Sequence, residues 1–157
     1  MLKYVDTKVT FSEVPDEISL CINISNCPCH CKNCHSSYLA QDIGTELTFN
    51  EVRKLIKKNS GISCIAIMGG DAESDKVNTL ASFIINHYNS IKVAWYSGRQ
   101  ELSNSIDLSN FDYIKLGPYK EEFGPLNSRS TNQRFYKVSD GKLINIMSKF
   151  WKYETEN

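Results

Sequence analysis

The sequence has no excess of either charge: lysine plus arginine number 18 and aspartate plus glutamate 18, a formal net charge of zero. That balance offers no basic footprint for nucleic acid or for an acidic membrane. Long apolar runs are absent too, and no stretch approaches the roughly 20 residues of a membrane-spanning helix. Met1 to Thr10 lack the apolar core of a secretion signal, so the expected address is the cytosol. Proline (4) and glycine (8) are few, with no linker, repeat or low-complexity tract. The 157 residues, 41% hydrophobic and 23% charged, are therefore expected to form a single domain, 1–157, of ordinary globular composition.

Cysteine, by contrast, is plentiful, and its placement is informative. Five of the 6 cysteines lie between Cys21 and Cys34, and Cys64 stands apart. A disulfide framework spreads its cysteines to join distant segments. Crowding them into one stretch points to a metal or redox centre.

Around that stretch the pattern alternates. Ile18 to Ile24 reads as a strand, and the cysteine loop follows it. Leu47 to Ser60 reads as a helix, with Thr48 and Glu51 at capping-box spacing. Ile62 to Met68 is an apolar run suited to a strand covered on both faces, and it ends in Gly69-Gly70-Asp71. Val77, Leu80, Ala81, Ile84, Ile85 and Tyr88 repeat at helical spacing. Ile91 to Tyr96 and Tyr113 to Leu116 read as strands ending in Ser97-Gly98 and Gly117-Pro118, with a short helix expected near Gln100 to Ser105. Gly124 to Arg134 is polar and loop-like. Phe135 to Val138 and Lys142 to Met147 flank Ser139-Asp140-Gly141, a hairpin signal.

Strand and helix in alternation imply an α/β fold with a mostly parallel sheet. The chain is short of the ~250 residues of a full eight-fold barrel. A partial (β/α) barrel or open sheet with a C-terminal hairpin is the expectation. Ligands gather at the carboxyl ends of such strands. The cysteine loop and the turns after Met68, Tyr96 and Leu116 are expected to share that rim.

Within the loop, Cys27, Cys29, Cys31 and Cys34 offer four thiolates, enough for a tetrahedral zinc, with His30 or His35 as substitutes. A structural zinc site more often joins two separated pairs, and no second pair exists. The subset Cys27, Cys31 and Cys34 has the form Cys-x3-Cys-x2-Cys. Three thiolates can hold three irons of a cubane cluster and leave the fourth iron open to a bound molecule. An electron-transfer cluster is normally closed by a fourth cysteine.

This loop resembles the signature of the radical S-adenosylmethionine superfamily. The likeness extends to Val14-Pro15-Asp16-Glu17-Ile18-Ser19, to Cys34-His35-Ser36, to Gly69-Gly70-Asp71 and to Arg129-Ser130-Thr131-Asn132-Gln133-Arg134. Together with the short length, these segments are similar to the activating proteins of anaerobic ribonucleoside-triphosphate reductases, over roughly Val14 to Tyr136. The resemblance implies a barrel of the radical S-adenosylmethionine type and a 4Fe–4S cluster on Cys27, Cys31 and Cys34. It implies reductive cleavage of S-adenosylmethionine, with the 5′-deoxyadenosyl radical taking hydrogen from a glycine of the reductase's large subunit. A low-potential electron donor is implied as a further partner.

Gly69, Gly70 and Asp71 match the family's Gly-Gly-Glu turn, which receives the cofactor's amino group. Ala72 follows where the family often has proline. Ser97 is placed to donate to a carboxylate or ribose, and Asn33 to meet the adenine. Cys29, Cys21 and Cys64 are read as bystanders, the last two as small buried hydrophobes. His30 and His35 are read as loop packing or support behind the ligands, and His87 as exposed on a helix. The alternatives are an activase of another glycyl radical enzyme, of formate-lyase type, and, from a different class, a zinc-stabilised binding module.

Overall fold

The computed structural model describes residues 2–29 and 37–151. The helices follow from their caps and apolar spacing. In α1, Phe49–Lys58, the Thr48 hydroxyl accepts the Glu51 N–H at 3.1 Å and closes the first turn. Val52 and Leu55 then fall on the buried face, and Lys57 and Lys58 sit in the last turn, where cations are favoured. In α2, Ser74–His87, Val77, Leu80, Ala81 and Ile84 form the buried stripe.

The strands are β1 Lys3–Thr10, β2 Ser19–Ile24, β3 Thr45–Glu46, β4 Cys64–Met68, β5 Lys92–Tyr96, β6 Tyr113–Leu116, β7 Arg134–Ser139 and β8 Lys142–Asn145. They form one sheet in the order β3-β1-β2-β4-β5-β6-β7-β8. Only the central pairings β2–β4, β4–β5 and β5–β6 are parallel. The pairings β1–β2, β1–β3, β6–β7 and β7–β8 are antiparallel.

The expected partial barrel with a mostly parallel sheet is therefore wrong. The described residues form a mixed eight-stranded sheet with only two α-helices. Three local causes account for it. Lys3–Thr10 is a strand of half-exposed, mostly polar residues that lies antiparallel against β2, and it has no apolar run to be read by. Gln100 to Ser105 forms bends rather than a helix, so β5 reaches β6 by a loop carrying one 3-10 turn, Leu108–Asn110. After β6 the chain returns beside it as β7 without a helical crossover, which forces the antiparallel sense.

The two faces of the parallel block differ. Toward α1 and α2 it presents large side chains: Leu20, Ile22 and Ile24, then Ile65 and Ile67, then Val93 and Trp95, then Ile114 and Leu116. Fully burying each contributes roughly 1.5–3 kcal/mol. The opposite face carries Cys21, Cys64, Ala66 and Ala94, then Tyr96 and Tyr113, under Val14, Phe135 and Met147. No helix among the described residues is long and apolar enough to cross a membrane.

Candidate active site at the carboxyl rim

Because β2, β4, β5 and β6 run parallel, the segments that follow them emerge at one end of the sheet. These are the cysteine loop, Gly69-Gly70-Asp71, Ser97-Gly98 and Gly117-Pro118.

The Gly-Gly turn is fixed by sterics and by hydrogen bonds. Gly69 and Gly70 have φ of 105° and 92°, which disfavours any residue with a side chain. A Cβ on Gly70 would also lie 2.5 Å from the Val77 methyl. The Gly69 N–H donates to Tyr96 O at 3.0 Å, and the Trp95 indole N–H donates to Gly69 O at 2.7 Å. Buried Trp95 thus ties the turn to the core.

Asp71 is delivered by this turn and is buried. Its Oδ1 accepts the Ser97 hydroxyl at 2.5 Å, and its Oδ2 accepts the Gly98 N–H at 2.9 Å. Ser97 is itself fully enclosed, and its oxygen accepts the Arg99 N–H at 3.1 Å. The Ser97 hydroxyl is therefore committed to Asp71. Among the described residues, every hydrogen-bond donor to this carboxylate is neutral.

The cysteine loop reaches the same place. The Cys29 thiol lies 3.9 Å from Asp71 Oδ2. At the loop's base, Asn26 N–H donates to Gln41 O at 2.9 Å and Cys27 N–H to Leu39 O at 2.8 Å. Cys27 is half-buried there, and Cys21, Cys27 and Cys64 carry free thiols. Cys31, Cys34 and Asn33, together with His30 and His35, lie outside the described residues. Among the described residues, no group of three or more His, Cys, Asp or Glu is placed to hold a metal ion.

Cys21 and Cys64 belong to a different environment. Burial pushes both thiols up to about 12 from their ordinary 9.0. Such thiols are inert as ligands and nucleophiles. His87 is exposed near the end of α2, with Nδ1 2.9 Å from Phe83 O.

The sequence reading passed over Lys115. It stands in β6 opposite Tyr96, it is buried, and its ammonium donates to Gly117 O at 3.0 Å and to Gln133 Oε1 at 3.1 Å. The signal was there, a lysine in an otherwise apolar four-residue strand. Gln133 brings the segment Arg129 to Arg134 to the rim. Asn132 in that segment donates to Pro118 O at 3.0 Å, and the Arg129 guanidinium lies 5.3 Å from the Trp151 ring centre.

Comparison with protein-family models, with curated proteins and with solved structures gives no match. The likeness described above rests on the residues quoted for it.

Proposed function

We propose that this chain activates an anaerobic ribonucleoside-triphosphate reductase by reductive cleavage of S-adenosylmethionine, leaving a glycyl radical on the large subunit. The observation that carries the reading is the meeting of the cysteine loop with Asp71, Ser97 and Gly98 at the carboxyl rim.

Cys27, Cys31 and Cys34 would hold a 4Fe–4S cluster, which supplies the electron that splits the cofactor into methionine and the hydrogen-abstracting 5′-deoxyadenosyl radical. The free thiol of Cys27, beside a loop base already closed by backbone hydrogen bonds, fits that role. Asp71, a buried anion held by neutral donors, is suited to accept the cofactor's ammonium. Ser97 and the Gly98 N–H fix the direction in which that carboxylate points. Gly69 and Gly70 let the backbone come close to the ligand. Lys115 places an ammonium at the same rim, complementary to a carboxylate. Asn33 would meet the adenine. The chain is proposed to work in the cytoplasm with a low-potential donor.

The test is anaerobic reconstitution with iron and sulfide, followed by mixing with the reductase large subunit, S-adenosylmethionine and a reductant. About four irons per chain, a brown chromophore and a glycyl radical by electron spin resonance are expected. Cys27→Ala, Cys31→Ala and Cys34→Ala should each abolish cofactor cleavage. A colourless protein holding one zinc would reject the cluster. Cleavage without a radical on this reductase would reject the partner and turn attention to a formate-lyase-type enzyme.

A further inference from the structure

Three donors converge on the Asp71 carboxylate, and they are unequal. The Ser97 hydroxyl at 2.5 Å and the Gly98 N–H at 2.9 Å come from the turn after β5. The Cys29 thiol at 3.9 Å comes from another part of the chain and is long and soft. A second observation ties the same atom to the same spot. A Cβ built on Gly98 would lie 2.8 Å from Cys29 Sγ and 3.3 Å from Cys29 Cβ. Gly98 has no positive φ that would demand glycine, so the space that its missing side chain leaves is the space Cys29 fills.

We infer that the Cys29 thiol stands on Asp71 in the direction that the cofactor's ammonium takes, and so sets the affinity for the amine without serving as a cluster ligand. The inference rests on the reading of Asp71 as ammonium acceptor. An ammonium is a far better donor to a carboxylate than a thiol. Its arrival displaces the weakest of the three partners and leaves Ser97 and Gly98 in place. Cys29 then moves off Oδ2, and the cofactor must overcome the small stabilisation which that contact gave.

The test uses cluster-loaded protein under anaerobic conditions, without reductant. Binding of S-adenosylmethionine is measured by equilibrium dialysis, alongside iron content and the visible spectrum. In Cys29→Ala, iron content is expected to stay unchanged and Kd to fall about fivefold, the equivalent of one weak hydrogen bond. In a separate assay with reductant added, KM should fall with it while kcat stays constant, a split that a merely structural role would not give. Gly98→Ala, whose Cβ takes the space of Cys29 Sγ, is expected to lower Kd in the same direction, and Cys29→Ala in the same chain should then add little further. Loss of iron in Cys29→Ala, an unchanged or higher Kd, or the absence of coupling between the two positions overturns the inference. Asp71→Asn separates the two levels of the argument. If it leaves Kd unchanged, the ammonium reading falls. If it raises Kd strongly while Cys29→Ala lowers nothing, only the role given to Cys29 falls.

Discussion

The parallel strands bury one carboxylate at each end, and the two are held in opposite ways. Glu17, 7% exposed at the amino end, pairs with the Lys92 ammonium at 3.1 Å, and its second oxygen has no hydrogen-bond partner among the described residues. Asp71, 8% exposed at the carboxyl end, has both oxygens in hydrogen bonds, all from neutral donors among the described residues. Equal burial therefore serves two purposes. At the amino end the protein supplies its own cation, and the pair fastens the segment before β2 to the start of β5. The Tyr96 hydroxyl, donating to Glu13 O, and the Lys149–Asp16 pair at 2.7 Å fasten the same segment further. At the carboxyl end the carboxylate is oriented by neutral donors and, among the described residues, has no cationic partner. A buried charge held this way is receptive to a cationic ligand.

The largest expected effect separates the two carboxylates. Asp71→Ala should raise the Kd for S-adenosylmethionine about 100-fold, the loss of one charge-assisted hydrogen bond. Glu17→Gln should leave that Kd alone and lower stability by about 1–2 kcal/mol, because its lysine partner is half exposed. Equilibrium dialysis and thermal denaturation of both variants check this. If Glu17→Gln weakens binding as much as Asp71→Ala, the two ends are not distinct.

A smaller effect lies in pH. Cys21 and Cys64 keep their protons in the folded chain up to about 12, against an ordinary 9.0. Between those values the unfolded chain has released protons that the folded chain retains, so stability is full below pH 9 and declines as pH rises toward 12. The Lys92 ammonium, raised by its hydrogen bond to Glu17, acts in the same direction above its ordinary 10.5. Urea titrations from pH 8 to 11 should show this alkaline loss, and Cys64→Ala should flatten it. At pH 8, iodoacetamide should modify Cys27 in cluster-free protein and spare Cys21 and Cys64. Prompt labelling of Cys64 would sink the contrast.

The smallest effect concerns orientation at the rim. Ser97→Ala removes the 2.5 Å bond to Asp71 Oδ1 and keeps the charge. KM for the cofactor should rise about fivefold with little change in folding stability. An unchanged KM would mean that the Gly98 N–H alone directs the carboxylate.

Part of this was legible in the sequence. The apolar runs at Cys64–Met68, Lys92–Tyr96 and Tyr113–Leu116 and the capped helix after Thr48 carry local signals, and each forms where its pattern places it. The sense of pairing is not local. Nothing within Arg134–Ser139 says that it will run antiparallel to β6, and Lys3–Thr10 alternates too little apolar surface to announce a strand. The site follows the same rule. Gly69-Gly70-Asp71 can be read from adjacent residues. The bond from Ser97 to Asp71 spans 26 positions and that from Cys29 spans 42, and only the register of β2, β4 and β5 brings them together.

The closed base of the cysteine loop has a consequence for assembly. Cys27 and Leu39 are joined by backbone hydrogen bonding, as are Asn26 and Gln41, so folding itself brings together the two ends of the proposed cluster loop. A metal centre held by that loop would lose less of its binding free energy to bringing the loop's ends together. Changes on the Leu39–Gln41 side of this base, which carries no thiolate, should leave the proposed ligand set intact and still raise the iron concentration needed to fill it. On the proposed reading, the order of events would be fold first and cluster second, the reverse of a zinc finger.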